Sequence, residues 1–327
     1  MRAIVVEELG GPDVLKVQET DRPAIEKNEV LIKVEAASVN FADIKARQGA
    51  FHGVSNSAFI PGLDCMGVIE ETGADVSDLH KGQRVVAFPT GGSYAEYVKA
   101  NENVTYVLPD DVDSDTAAGS LLVGVTSYNV LRKVARLEKG ETVLIHAAAG
   151  GIGTTAAQLA KIYGAGKVIG TVGSDKKAAA AREAGVDLVI NYKEEDFVKQ
   201  TMDATDGKGV DVILDTIAGE NFDKSLECLA PFGRIVTFGH ANDESAPGNV
   251  KTNELHASCR SVLGYSTGTC IKQRPEFLKE AAAETIRLLA EKKLDILVSQ
   301  SYPLEQASEA HTFMESRNST GKLLLKP

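Results

Sequence analysis

The sequence predicts an α/β protein of two domains: a β-rich domain built from both ends of the chain, and a doubly wound parallel-sheet domain between them. Three observations predict it. The first ~120 residues carry short β-branched or alternating segments separated by Gly, Pro, Asp and Asn, the pattern of a compact barrel-like β structure. From Ala117 onward, continuous apolar strands alternate with helical stretches, as a parallel sheet covered on both faces requires. The last ~60 residues drop that alternation and end on a short strand.

In the first region the strands fall at residues 3–6, 15–18, 29–38, 67–71, 83–87, 93–99 and 105–108. A short helix starts near Asn40, with Phe41, Ile44 and Lys45 at helical spacing. Residues 117–137 read as one or two helices. Six strands follow, at 141–146, 167–172, 187–191, 210–216, 233–239 and 261–265, with helical stretches at 175–184, 194–204 and 222–229 between them. A helix over 275–292, a strand at 299–303, a helix over 305–316 and a strand at 321–326 complete the chain. The boundaries that follow are 1–121 with 267–327 for the β-rich domain and 122–266 for the parallel-sheet domain. A length of 327 residues suits two domains.

The composition, 43% hydrophobic and 25% charged, is that of an ordinary soluble globular protein. No apolar run approaches the roughly 18 residues of a membrane helix. Met-Arg-Ala-Ile-Val-Val at the N-terminus leads straight into a strand without an apolar leader, so no signal peptide is read and a cytoplasmic location is expected. A net charge of −11 argues against nucleic acid or an anionic membrane as partner. Cys65, Cys228, Cys259 and Cys270 form no C-x-x-C pair and read as reduced thiols.

The most informative stretch is Ala147-Ala-Ala-Gly-Gly-Ile-Gly153, between the strand 141–146 and a helix whose face carries Ala156, Leu159, Ala160 and Tyr163. Strand, glycine turn and helix is the context of a dinucleotide fingerprint: glycines let backbone approach a diphosphate, and the helix N-terminus supplies N–H donors. Read as G-x-G-x-x-G the key positions are Ala148, Gly150 and Gly153, with Ala in the first slot; Gly151 and Ile152 complete the turn. An NAD site places a carboxylate ~20 residues beyond the last glycine. Here that count reaches Gly173, followed by Ser174, Asp175, Lys176 and Lys177. Gly173 removes the acid that would repel a 2′-phosphate, Ser174 can donate to one, and Lys177 adds positive charge one helical turn on. NADPH is therefore expected over NAD, with Asp175 as the residue that speaks against it.

This layout resembles the medium-chain dehydrogenase/reductase superfamily, many of whose members carry zinc. Zinc members have Cys where this chain reads Val39-Asn40-Phe41-Ala42-Asp43, and Gly-His-Glu where it reads Gly62-Leu63-Asp64. The clustered cysteines of their structural zinc are missing too. Asp43, Asp64 and Cys65 have no histidine beside them, so no metal is expected. Without a Lewis acid, simple alcohols and ketones are poor substrates.

The chain most resembles the zinc-free quinone oxidoreductase (ζ-crystallin-like) family. The resemblance rests on Ser38-Val-Asn-Phe-Ala-Asp43, Pro61-Gly62 with Gly67, Gly124-Val-Thr-Ser-Tyr128, residues 147–153, Gly170-Thr-Val-Gly-Ser174 with Lys177, Ile190-Asn-Tyr192, and Ser316-Arg317 with Gly321-Lys322. It covers nearly the whole chain and implies a GroES-like catalytic domain, a Rossmann NADPH-binding domain and a homodimer formed through the nucleotide domain, with the edge strand 261–265 as interface. It implies an NADPH site lined by Asn40, Thr126, Gly151, Ile152, Ser174, Lys177, Tyr192, Phe238, Gly239 and the segment Ser316, Arg317 and Asn318. Where the family often carries a tyrosine near the substrate, this chain reads Gly49-Ala50-Phe51-His52. The expected reaction is hydride transfer from NADPH to a quinone or similar conjugated carbonyl. Asn40 positions the acceptor oxygen, Phe51 packs the ring, and His52 or solvent delivers the proton. Two alternatives stay open: reduction of the C=C bond of enones, enals or enoyl thioesters, and NADPH binding without catalysis, as in a crystallin.

Overall fold

The apolar strands in the middle of the chain form one six-stranded parallel sheet. A computed structural model describes residues 1–50, 58–241 and 247–327, and divides the chain into two units, Met1–Val125 with Thr269–Pro327 and Thr126–Gly268. In the second unit the strands are β1 (Thr142–Ile145), β2 (Lys167–Val172), β3 (Leu188–Asn191), β4 (Val210–Asp215), β5 (Leu229–Thr237) and β6 (Ser261–Gly264). Their order across the sheet is β3-β2-β1-β4-β5-β6, and every pairing is parallel. This is the doubly wound order in which the direction of winding reverses between β1 and β4, and ligands of such sheets bind outside the carboxyl ends of the strands at that point.

Burial explains the composition of the strands. Val143, Leu144 and Ile145 of β1 and Val212, Ile213 and Leu214 of β4 are all buried, since helices cover both faces. The core of one face gathers Leu144, Ile169, Ile190, Phe197, Ile213, Phe222 and Ile235. Helices α1 (Gly151–Ile162) and α2 (Asp175–Glu183) follow β1 and β2 and start at their carboxyl ends.

The first unit holds a two-stranded sheet, Arg2–Val5 against Lys16–Glu19, and a seven-stranded sheet. The long strand Glu29–Val39 is central to the latter and pairs with Cys65–Thr72, Tyr97–Asn101 and the last strand, Lys322–Lys326. The antiparallel register Leu323↔Val39 sets Lys322, the first residue of the last strand, beside Asn40, where the helix Phe41–Arg47 begins. Ile4, Ile32, Ile69, Val85, Leu323 and Leu325 pack in its core.

Several elements differ from the sequence expectation. The strand expected at 93–99 is Tyr97–Asn101. β5 starts at Leu229 rather than 233, passing through Pro231 and a left-handed Phe232 (φ 64°), residues that read as a strand boundary in sequence. Helices Thr252–Ser258 and Thr267–Gln273 were not expected, because seven mostly polar residues show no apolar period.

Candidate functional site

The turn between β1 and α1 is shaped by what cannot fit into it. A Cβ on Gly153 would lie 2.4 Å from the Ala147 carbonyl oxygen and 2.6 Å from Ala148 Cα, so the helix can approach the turn this closely only with glycine there. Gly150 is the N-cap of α1 in extended conformation, and the first N–H groups of the helix have no acceptor within it. Ala148 fits the first fingerprint slot for a local reason. Its Cβ would be 2.6 Å from a Cβ on Gly170 of β2, so the glycine has moved to the neighbouring strand.

His146, the residue before this turn, is buried and ties three elements together. Ser225 Oγ sends its proton to the Asn221 carbonyl (2.6 Å), so it accepts from His146 Nε2–H at 2.9 Å, and the Thr171 hydroxyl serves Nδ1 at 3.0 Å. Burial holds this imidazole neutral and pushes it down to about 4.

At the carboxyl end of β2, Gly173 lies under the Tyr192 side chain: a Cβ there would be 2.8 Å from the tyrosine hydroxyl. Tyr192 is 44% exposed, a large ring held over bare backbone. Ser174 is the N-cap of α2, yet its hydroxyl makes no capping bond. The Asp175 carboxylate accepts from Asn191 Nδ2 at 3.0 Å. Lys177 is half-buried one turn along α2. Phe238 and Gly239 follow β5, with Phe238 N–H donating to the Asp215 carbonyl at 3.0 Å and Gly239 close against Thr216. Thr126 is buried and shares a hydrogen bond with Thr267 (2.8 Å), which donates to the Tyr265 hydroxyl.

Arg317 and Asn318 belong to the first unit and are exposed between the helix Ala307–Glu315 and the last strand; Arg317 is left-handed (φ 57°). Phe51 and His52 lie outside the described residues. Asn40 is the N-cap of Phe41–Arg47 and forms a capping box with Asp43, whose carboxylate accepts from Asn40 N–H at 2.8 Å. It is held in a buried charged cluster. Asn40 Oδ1 accepts from Lys322 Nζ at 2.5 Å, and Nδ2 donates to Asp64 Oδ1 at 2.9 Å and to Ser38 Oγ at 3.1 Å. An ammonium only donates and a carboxylate only accepts, so these neighbours fix the amide orientation. Ser38 Oγ also donates to Asp64, whose second oxygen accepts from Leu122 N–H at 3.0 Å. Both amide hydrogens of Asn40 are engaged, and its Oδ1 already accepts from Lys322. The expected donation from Asn40 to an acceptor oxygen is therefore not available in this arrangement.

In and around that cluster, burial disfavours the charged forms of Asp43, Lys322 and His311. Asp43, which accepts from Asn40 N–H (2.8 Å) and the Tyr94 hydroxyl (3.0 Å), is pushed up to about 7 by desolvation. Lys322 is lowered by burial, opposed by Asp64 and Asp43. His311, 3.1 Å from the Tyr94 hydroxyl, is driven down to about 3 by burial and by Arg47.

The donor set does not fit zinc. Leu63 offers no ligand, the Asn40 oxygen carries an ammonium, Asp64 is taken by three hydrogen-bond donors, and burial raises the Cys65 thiol far above its ordinary range. Among the described residues no three His, Cys, Asp or Glu side chains converge on a metal position. Lys322, Asp64 and Ser38 were missed as a unit from sequence. A lysine opening an otherwise buried Leu-Leu-Leu strand was the available signal, because such a charge requires a partner.

Residues 26–110 match the alcohol dehydrogenase GroES-like domain, and residues 151–284 match the domain described as zinc-binding dehydrogenase. Quinone oxidoreductase 1 of Escherichia coli is 35% identical over 325 residues, covering 97% of each chain. The crystal structure of the Escherichia coli quinone oxidoreductase complexed with NADPH superposes with a TM-score of 0.92 at 34% identity, covering 100% of both chains. Mycobacterial Rv1454c complexed with NADPH gives a TM-score of 0.91 at 34% identity over 100% of both chains.

Two outcomes follow from the buried groups. Lys322→Met strands Asp64 without its nearby cation and should cost about 3–5 kcal/mol in denaturant unfolding, with Asp64→Asn in the same chain recovering most of it; a loss below about 1 kcal/mol would contradict the cluster. Unfolded histidine takes a proton near 6.5 and folded His146 only near 4, so between those values the unfolded state binds more protons and stability falls as pH falls. His146→Gln should flatten the pH dependence of unfolding free energy over that window by up to about one proton. Unchanged slopes would mean that His146 is not held neutral.

Proposed function

The chain belongs to the quinone oxidoreductase family of the medium-chain dehydrogenases/reductases, and from that premise we propose that it is an NADPH-dependent reductase of quinones and similar conjugated carbonyls that works without a metal. The observation that carries the cofactor choice is the end of β2: bare Gly173 backbone under the Tyr192 hydroxyl, with no carboxylate at the place where an NAD site needs one. NADPH, when bound, supplies the hydride. The residues of the chain bind, orient and exclude water. The first-turn N–H groups at Gly151, Ile152 and Gly153 receive the diphosphate, beside Gly150. Ser174, Tyr192 and Lys177 hold the 2′-phosphate, with hydroxyl donors and a cation as such an anion requires. Thr126, Phe238 and Gly239 line the cofactor toward its nicotinamide.

A conjugated acceptor suits such a site, because the incoming charge delocalises onto oxygen and orientation supplies much of the rate. Asn40, its amide orientation fixed by Lys322 and Asp64, helps to position the acceptor. Phe51 packs the acceptor ring, and His52 or solvent returns the proton. Two further assignments belong to the same reading. The chain acts in the cytoplasm, where free thiols such as buried Cys65 and Cys228 stay reduced. It dimerises through β6, an edge strand whose Val262 and Leu263 are only half-buried.

Purified protein assayed with NADPH and NADH against quinones, enones, enals and simple ketones should oxidise NADPH fastest with quinones. The preference in kcat/KM over NADH should be roughly tenfold or more, the scale of a phosphate dianion held by a cation and hydroxyls. Turnover of enones but not quinones would make it a C=C reductase, and tight NADPH binding with no turnover would make it a binding protein.

A further inference from the structure

Asp175 is the residue that a 2′-phosphate site should not tolerate, one position from Ser174 and within reach of the same anion. Its presence has a local benefit: it is the first residue of α2, where a negative charge is stabilised by the helix N-terminus. The difficulty is where the carboxylate goes. Asn191 is the last residue of β3, and Tyr192 opens the turn that follows it. Tyr192 is 44% exposed over Gly173, whereas Asn191 is 7% exposed. The Asn191 side chain is oriented from within its own loop: its Oδ1 accepts from Lys193 N–H at 3.3 Å, which turns its NH2 group outward to Asp175 Oδ1 at 3.0 Å. Its backbone is fixed as well, with Asn191 O accepting from Glu194 N–H (3.0 Å) and Glu195 N–H (2.9 Å). The carboxylate is thus tied to the Asn191 amide, while the Tyr192 hydroxyl lies over Gly173.

We propose that Asn191 is a positioning residue for cofactor specificity: by binding Asp175 it holds that carboxylate off the 2′-phosphate, so that the chain keeps an acid at the start of α2 and still selects NADPH. The inference rests on the NADPH reading above. Asn191 itself touches no phosphate; it acts through Asp175. Released, Asp175 faces a dianion across a few ångströms of solvent and is free to accept from a ribose hydroxyl instead, which favours NADH.

The test is the ratio of NADH to NADPH dissociation constants, read from nicotinamide fluorescence in a chain that contains no tryptophan. Wild type is measured first, and an absence of NADPH preference there would sink the cofactor reading and this inference together. Given that preference, Asn191→Leu should lower the ratio about tenfold, chiefly by weakening NADPH, as expected for a carboxylate turned toward a phosphate. Asp175→Ala alone should leave the ratio within about threefold of wild type, and Asn191→Leu combined with Asp175→Ala should restore it. A merely structural Asn191 would weaken both cofactors equally, and its defect would survive the loss of Asp175; either result overturns the proposal while the NADPH reading stands. If Asn191→Leu does not fold, Asn191→Ala carries the same expectation.

Discussion

A steric exclusion at the carboxyl ends of β1 and β2 governs the nucleotide-binding unit. Gly153, Gly170 and Gly173 each occupy a place where a Cβ would sit within 2.4–2.8 Å of a neighbouring atom. With the side chains gone, α1 packs against its own turn, Ala148 is accepted in the first fingerprint slot, and Tyr192 lies down over β2. Backbone N–H groups and hydroxyls are then what the edge of the sheet presents to a ligand, and they suit an anion. The reversal of strand order between β1 and β4 puts this edge where doubly wound sheets take their ligands.

The other unit depends on electrostatics of the opposite kind. It buries Lys322, Asp64 and Asp43 within one hydrogen-bonded cluster around Asn40. Charges removed from water cost several kcal/mol each unless partners surround them, and here each has partners of fixed polarity. That requirement couples distant pieces of sequence: the last strand must pair with Glu29–Val39 in the observed register for the ammonium to reach Asn40. The positive charge beside Asn40 is a lysine of the same chain.

Legibility from sequence followed the range of the physics involved. The parallel sheet was readable because continuous apolar strands and intervening helices are local patterns, and the glycine turn because its close approaches lie within a few residues. The close backbone approaches at Gly153 and Gly173 are local in the same way. β5 was misjudged at its start, since Pro231 and Gly233 signal a break that the sheet overrides. The Asn40 cluster was not readable, because Lys322 lies far from it in sequence and only strand pairing joins them. Asp175 was legible as a problem, and its resolution by Asn191 was not, because a side-chain bond between two strand ends leaves no period in the sequence.

A crystal structure of the protein with NADPH tests this site directly. The diphosphate should lie on the N–H groups at the start of α1, and the 2′-phosphate within hydrogen-bond distance of the Ser174 and Tyr192 hydroxyls, near Lys177 and with Asp175 still on Asn191. A 2′-phosphate directed into solvent, or a nucleotide bound away from the carboxyl ends of β1 and β2, would contradict it.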